Sequence, residues 1–237
     1  VHDLQLFLRD EKARLGKTAF EKLQSRMGYH YNPAHIVLSE KLKYNAISTL
    51  CYDWPHVFCI KGVVNYEINF FVDAIRANVP SHHKSVVTFD DMDEHMRKFI
   101  WPRRQQSCKF IFESGKLAAT GSDILRVAPV LRHFCREVIC KEPSLRDFAH
   151  GQAESLALAC DALEHLQAAS RKLIGPQVLH NVSMRFLRKH LQVYGEEHIK
   201  FKHHQAAHIA EMFDKFGFLA DSLVTERKHR NPKRYAT

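Results

Sequence analysis

Between residues 122 and 216 the sequence is an almost unbroken succession of helical patterns, and a chain carrying that much helix in one block must build its core by packing helix on helix. Leu125, Ala128, Leu131 and Cys135 form one stripe over 122–140, with Pro129 a kink or a restart. Residues 144–173 are rich in Ala and Leu and open on Ser144 and Asp147 in an SxxD start. Gly175 and Pro176 close that helix and open the next, which runs over 177–194 and stops at Gly195. A further helix over 201–216 stops at Gly217, and Ser222 begins a last, basic helix interrupted by Pro232.

Ahead of this block the patterns are shorter. In residues 18–28 (TAFEKLQSRMG), Thr18 and Glu21 have the spacing of a capping box, Phe20, Leu23 and Met27 share a face, and Gly28 stops the helix. Residues 29–33 are turn-like, and 46–52 (AISTLCY) is the clearest strand candidate. Residues 63–78 are helical, with Val64, Ile68, Phe71 and Ile75 on one stripe and Pro80 beyond the end. Residues 88–100 follow as a helix with Phe89, Met92, Met96 and Phe99 on one face, acids in its first turn and bases in its last, as the helix dipole favours. Residues 103–121 are weakly patterned, a loop with a short strand over 109–112 and the best internal boundary. The expected fold is mainly α, a helical array fastened to a small strand-containing piece, with no internal repeat and no low-complexity tract.

The chain has 237 residues, 45% of them hydrophobic, enough for one sizeable core or two small ones and too apolar for a disordered chain. No run approaches the roughly 18–20 apolar residues of a membrane span. The opening VHDLQLF has neither the basic nor the apolar region of a signal peptide. A net charge of +9 favours an anionic partner. The 6 cysteines make no CxxC or zinc-ribbon spacing and are expected as free, mostly buried thiols in a reducing compartment.

Three constellations could carry chemistry. Asp53-Trp54-Pro55-His56 directly follows the strand candidate and is followed by Gly62 and by Glu67 on a helix. A carboxylate held by backbone at a strand's end is preorganised for metal binding, with His56 placed to orient it; the alternative is a plain turn in which Asp53 caps, Trp54 packs and Pro55 bends. In the second, KFKHHQAAHIAEMF, His204 and His208 stand four residues apart, a spacing that can bind zinc, but with no HExxH glutamate they are expected to pack or to face phosphate. In the third, Arg227, Lys228, Arg230, Lys233 and Arg234 follow Glu226. So many bases form a phosphate-binding surface or a solvated tail, and they would hold Glu226 ionised and ready for a metal.

The string YDWPHVFCIKGVVNYEINFF (52–71) resembles the region around the second catalytic Asp of eukaryotic DDE/D cut-and-paste transposases, CACTA-like or related, whose RNase H-like core carries D-x-x-H there, then Gly and a helix. KHHQAAHIAEMFDKFGFLADSLVTERKHRNPKRYA (202–236) is similar to the end of such cores, where a histidine-bearing helix, an FG turn and an E-R segment lead to the final Glu. The resemblance implies an incomplete RNase H-like remnant over 1–102, a helical insertion domain over 103–217 and a basic C-terminal helix over 218–237 that carries the final Glu. It implies Asp53 and Glu226 as catalytic, metal-holding carboxylates with His56 in support, Mg²⁺ or Mn²⁺ as the ions, and transposon-end DNA as the partner. Contacts to that DNA are expected from Lys202, Arg227, Lys228, Arg230, Lys233 and Arg234. A nuclear location and a homo-oligomer go with it. Asp3 and Asp10 lie in a helical context, so the family's first Asp and front strands are expected to be missing from the chain as given, leaving it inactive alone. The alternative is a non-enzymatic helical interaction module with a basic nucleic-acid-binding tail.

Overall fold

A computed structural model describes residues 2–27, 30–31, 51–78, 89–101, 112–113, 116–117 and 119–221. The chain divides into two compact units, Val1–Cys51 and Tyr52–Thr237.

In the first unit helix α1 (His2–Arg14) packs on helix α2 (Lys17–Met27). The first bond of α2 runs from the Phe20 N–H to the Gly16 carbonyl at 3.0 Å, so Thr18 is a first-turn residue and not the cap that its spacing to Glu21 predicts. Phe20 is buried with its ring edge-on to Tyr31, and the Tyr31 N–H donates to Gln24 Oε1 at 2.7 Å, which ties the chain beyond the helix back onto it.

The second unit is a helical array. In chain order it contains α3 (Trp54–Phe58), α4 (Val63–Asn78), α5 (Phe89–Lys98), the hairpin strands β1 (Phe112–Glu113) and β2 (Lys116–Leu117), α6 (Gly121–His133), α7 (Arg146–Ser170), α8 (Pro176–Tyr194) and α9 (Phe201–Phe216). The hairpin is antiparallel, with Phe112 opposite Leu117 and Glu113 opposite Lys116. Helix α7 is the hub, packed against α4, α6 and α8, while α9 packs on α8 and α3. Six consecutive residues of α7, Ser155 to Cys160, are buried, and a helix apolar on all sides is stable only as the inside element of a bundle. Ala149, Ala153, Ala157 and Ala162 keep its surface thin enough for neighbours on several sides.

Helix α6 starts at Gly121, with its cap two residues ahead of Ser122. Thr120 is its cap, its side chain accepting the Asp123 N–H while the Asp123 carboxylate accepts the Thr120 N–H, a reciprocal pair worth about 1 kcal/mol. Pro129 lies inside α6 on an exposed position, and the chain widens downstream into a π-helical turn, Phe134–Ile139, closed by the Cys140 N–H on the Cys135 carbonyl. Arg132 near the end of α6 and Arg136 in the π-helical turn both reach Asp161 on α7, and Arg132 also reaches Glu164.

The mainly helical expectation holds. Trp54, Phe58, Ile68, Phe71 and Met96 join Ile124, Leu131, Leu156, Phe186 and Phe213 in one core, so Tyr52–Trp101 and the helices beyond residue 119 share a single interior. Strand candidate 46–52 falls outside the described residues except for Cys51 and Tyr52, which are not in a strand. Of the short strand expected over 109–112 only Phe112 is among the described residues, and it lies in β1. Among the described residues no helix is long and apolar enough to cross a membrane, and Cys51, Cys59, Cys135, Cys140 and Cys160 are free thiols.

Candidate functional site

The D-x-x-H motif forms a corner. Asp53 has extended backbone and occupies the cap position of α3, whose second residue, Pro55, suits a first helical turn. It makes no side-chain cap bond; its Oδ2 pairs with Nδ1 of His56 one turn on, both side chains half-buried. His56 thus does what its spacing predicts and orients the carboxylate. The backbone of Asp53 forms a parallel bridge with Ala220, and the Trp54 N–H donates to the Ala220 carbonyl at 3.2 Å. The segment after α9 therefore returns to lie beside the motif, although the two are far apart in sequence. The charges of Asp53 and Asp221 both reach the buried Cys59 thiol, and with burial as the larger cause they push it up from its ordinary range.

Gly62 closes the corner. A Cβ there would stand 2.4 Å from the Phe58 carbonyl carbon and 2.5 Å from the Val57 oxygen, so α3 can turn into α4 this tightly only with glycine. The Gly62 N–H faces Asn65 Oδ1 in the first turn of α4.

Lys202 differs from expectation. Its ammonium donates to the carbonyls of His56 and Ile60 at 2.6 Å each, and so fastens α9 to the end of α3 instead of facing phosphate. Desolvation lowers its pKa. Glu226, Arg227, Lys228, Arg230, Lys233 and Arg234 lie outside the described residues. The Asp53 carboxylate offers the kind of hard oxygen donor that Mg²⁺ or Mn²⁺ takes.

A second cluster, which reading the sequence missed, lies inside the bundle. Glu67 of α4, His190 of α8 and His203 of α9 are each at most 1% exposed. Glu67 Oε1 pairs with His190 Nδ1, and Glu67 Oε2 accepts the Ser155 hydroxyl at 2.9 Å. The imidazoles of His190 and His203 stack with centroids 4.2 Å apart, and Phe186 flanks both. His203 Nδ1 accepts the Lys200 N–H at 3.0 Å, leaving its ring proton on Nε2. Burial first, then His190 and Lys200, depress His203 to about 3, so it is neutral at pH 7. The Nε2 atoms of both histidines and the Tyr194 hydroxyl are buried without hydrogen-bond partners. The neighbouring pair singled out by spacing stands outside this cluster: His204 is exposed, and His208 Nδ1 contacts Glu211 Oε2 at 2.8 Å.

Comparison with family models, curated proteins and solved structures finds no match to the chain.

Proposed function

We propose that the chain is the second-acid and helical-insertion part of a DDE/D-type transposase core, which binds transposon-end DNA and, in a complete core, cuts and joins its phosphodiesters in the nucleus. The observation that carries this is the bridge between Asp53 and Ala220. Glu226 stands six positions after Ala220, and six residues of chain reach at most about 20 Å, so the chain between them is short enough for a site shared with Asp53. The ordered His56–Asp53 pair supports the same reading, since a metal-holding carboxylate needs a fixed direction.

Asp53 and Glu226 would hold Mg²⁺ or Mn²⁺, which when bound activates water or a 3′-hydroxyl and stabilises the leaving oxygen. The chain's own contribution is positional: α3 presents Asp53, His56 orients it, and Lys202 locks the carbonyl end of α3 against α9. A site built of these two carboxylates alone is expected to cleave DNA negligibly.

The test is Mn²⁺ titration of the chain, followed by the loss of the free-ion EPR signal. Asp53→Asn and Glu226→Gln should each weaken binding about tenfold or more. Binding untouched by either change would refute a shared carboxylate site and leave the helical interaction module.

A further inference from the structure

We propose that Glu67, His190 and His203 form a buried three-ligand structural site for a divalent ion of the zinc class, its fourth position left to water, clipping α4, α8 and α9 together. The three side chains come from three helices, and one ligand atom from each lies within 4.8 Å of the other two. An imidazole, imidazole, carboxylate set is a donor combination that Zn²⁺ takes.

The polar atoms left without partners point the same way. Burying an unsatisfied polar group costs about 1–3 kcal/mol, and His190 Nε2 and His203 Nε2 are both in that condition beside a buried carboxylate. An ion among them would satisfy these groups together. Ser155 already holds the second oxygen of Glu67, the kind of outer contact that fixes a metal-binding carboxylate. Side chains at most 1% exposed leave no room for substrate, so the ion would have a structural role.

Ligation follows a simple proton count. Without metal His203 carries its proton on Nε2 because Nδ1 accepts the Lys200 N–H. Ligation through Nε2 moves that proton to Nδ1 and releases the Lys200 N–H, which belongs to an exposed residue and can pass to water. For zinc bonds of about 2.0–2.1 Å in tetrahedral geometry the ligand atoms draw in to roughly 3.4 Å of one another. The site does not depend on Asp53, Glu226 or DNA.

The experiment uses the full chain stripped with chelator and titrated with Zn²⁺. One equivalent should bind and raise the melting temperature by roughly 5–10 °C at a hundredfold excess over Kd. Histidine side-chain ¹⁵N spectra should show resonances of His190 and His203 moving while those of His204 and His208 stay. His204→Ala/His208→Ala should keep the bound ion and Glu67→Gln should lose it. Should the Glu67 variant fail to fold, the ¹⁵N spectra of the unaltered chain decide. No uptake at micromolar zinc, or uptake abolished by the His204/His208 double variant, would overturn the proposal.

Discussion

Lys202→Met separates a phosphate-binding lysine from a structural one. Methionine keeps most of the unbranched stem and removes the ammonium, leaving the carbonyls of His56 and Ile60 without the donor that sits 2.6 Å from each. Hydrogen bonds to a charged donor contribute roughly 1.5–3 kcal/mol each where water is excluded. Lys202 is only half-buried, so solvent can replace part of each bond and the combined loss should be about 2 kcal/mol. In urea, with a slope of roughly 2–3 kcal/mol/M for a chain of this size, the unfolding midpoint should fall by about 0.7–1 M. DNA affinity measured over a salt series should keep its slope, because no phosphate contact is lost. Arg227→Ala/Lys228→Ala/Arg230→Ala should do the reverse, lowering the slope by about 2.7 and sparing stability. A Lys202→Met protein that unfolds at the original urea concentration but loses about 0.9 from its salt slope would refute the structural assignment.

Gly62→Ala should destabilise by about 3 kcal/mol, since its Cβ would collide with backbone atoms of Val57 and Phe58 that cannot swing aside, whereas Gly175→Ala, with open space around it, should cost under about 1 kcal/mol in the same urea assay. Acid should destabilise the metal-free chain through His203. Its folded-state value of about 3 lies below the ordinary value of 6.5, so between them the unfolded chain binds more protons, and stability that is complete above pH 6.5 drains away as pH falls toward 3. Urea midpoints at pH 7.5 and 5.0 in chelator should show the decline, and bound zinc should move the onset of acid unfolding to lower pH. A midpoint that does not fall between these two values would mean that His203 is not buried as a neutral ring.

How much could be read in advance follows from the range of the forces involved. The ends of α4 and α9 come directly from periodicity, Gly217 and the turn residues, all decided within one or two helical turns. The start of α6 is not legible because Thr120 and Asp123 satisfy the capping rule two residues before Ser122, inside a stretch with little apolar pattern. The Asp53–His56 pair was legible because it is local, three residues apart on one short helix. Glu67 and His190 are separated by 123 positions, and no spacing rule pairs them. Their stripes nevertheless carried a signal. Glu67 falls among Val64, Ile68 and Phe71; His190 continues the line of Leu179, Ser183 and Phe186; His203 lies on the face of Ala206, Ala210 and Phe213. A titratable side chain on an apolar stripe must find a partner inside the core or be expelled from it. Metal-like spacing singles out His204 and His208 instead, of which His204 is exposed and His208 pairs with Glu211. Spacing along one helix tests only ligands that share a helix, whereas a polar interruption of an apolar stripe identifies each buried ligand separately. Where three helices of one bundle each carry such an interruption, their meeting in the interior is the arrangement to test first.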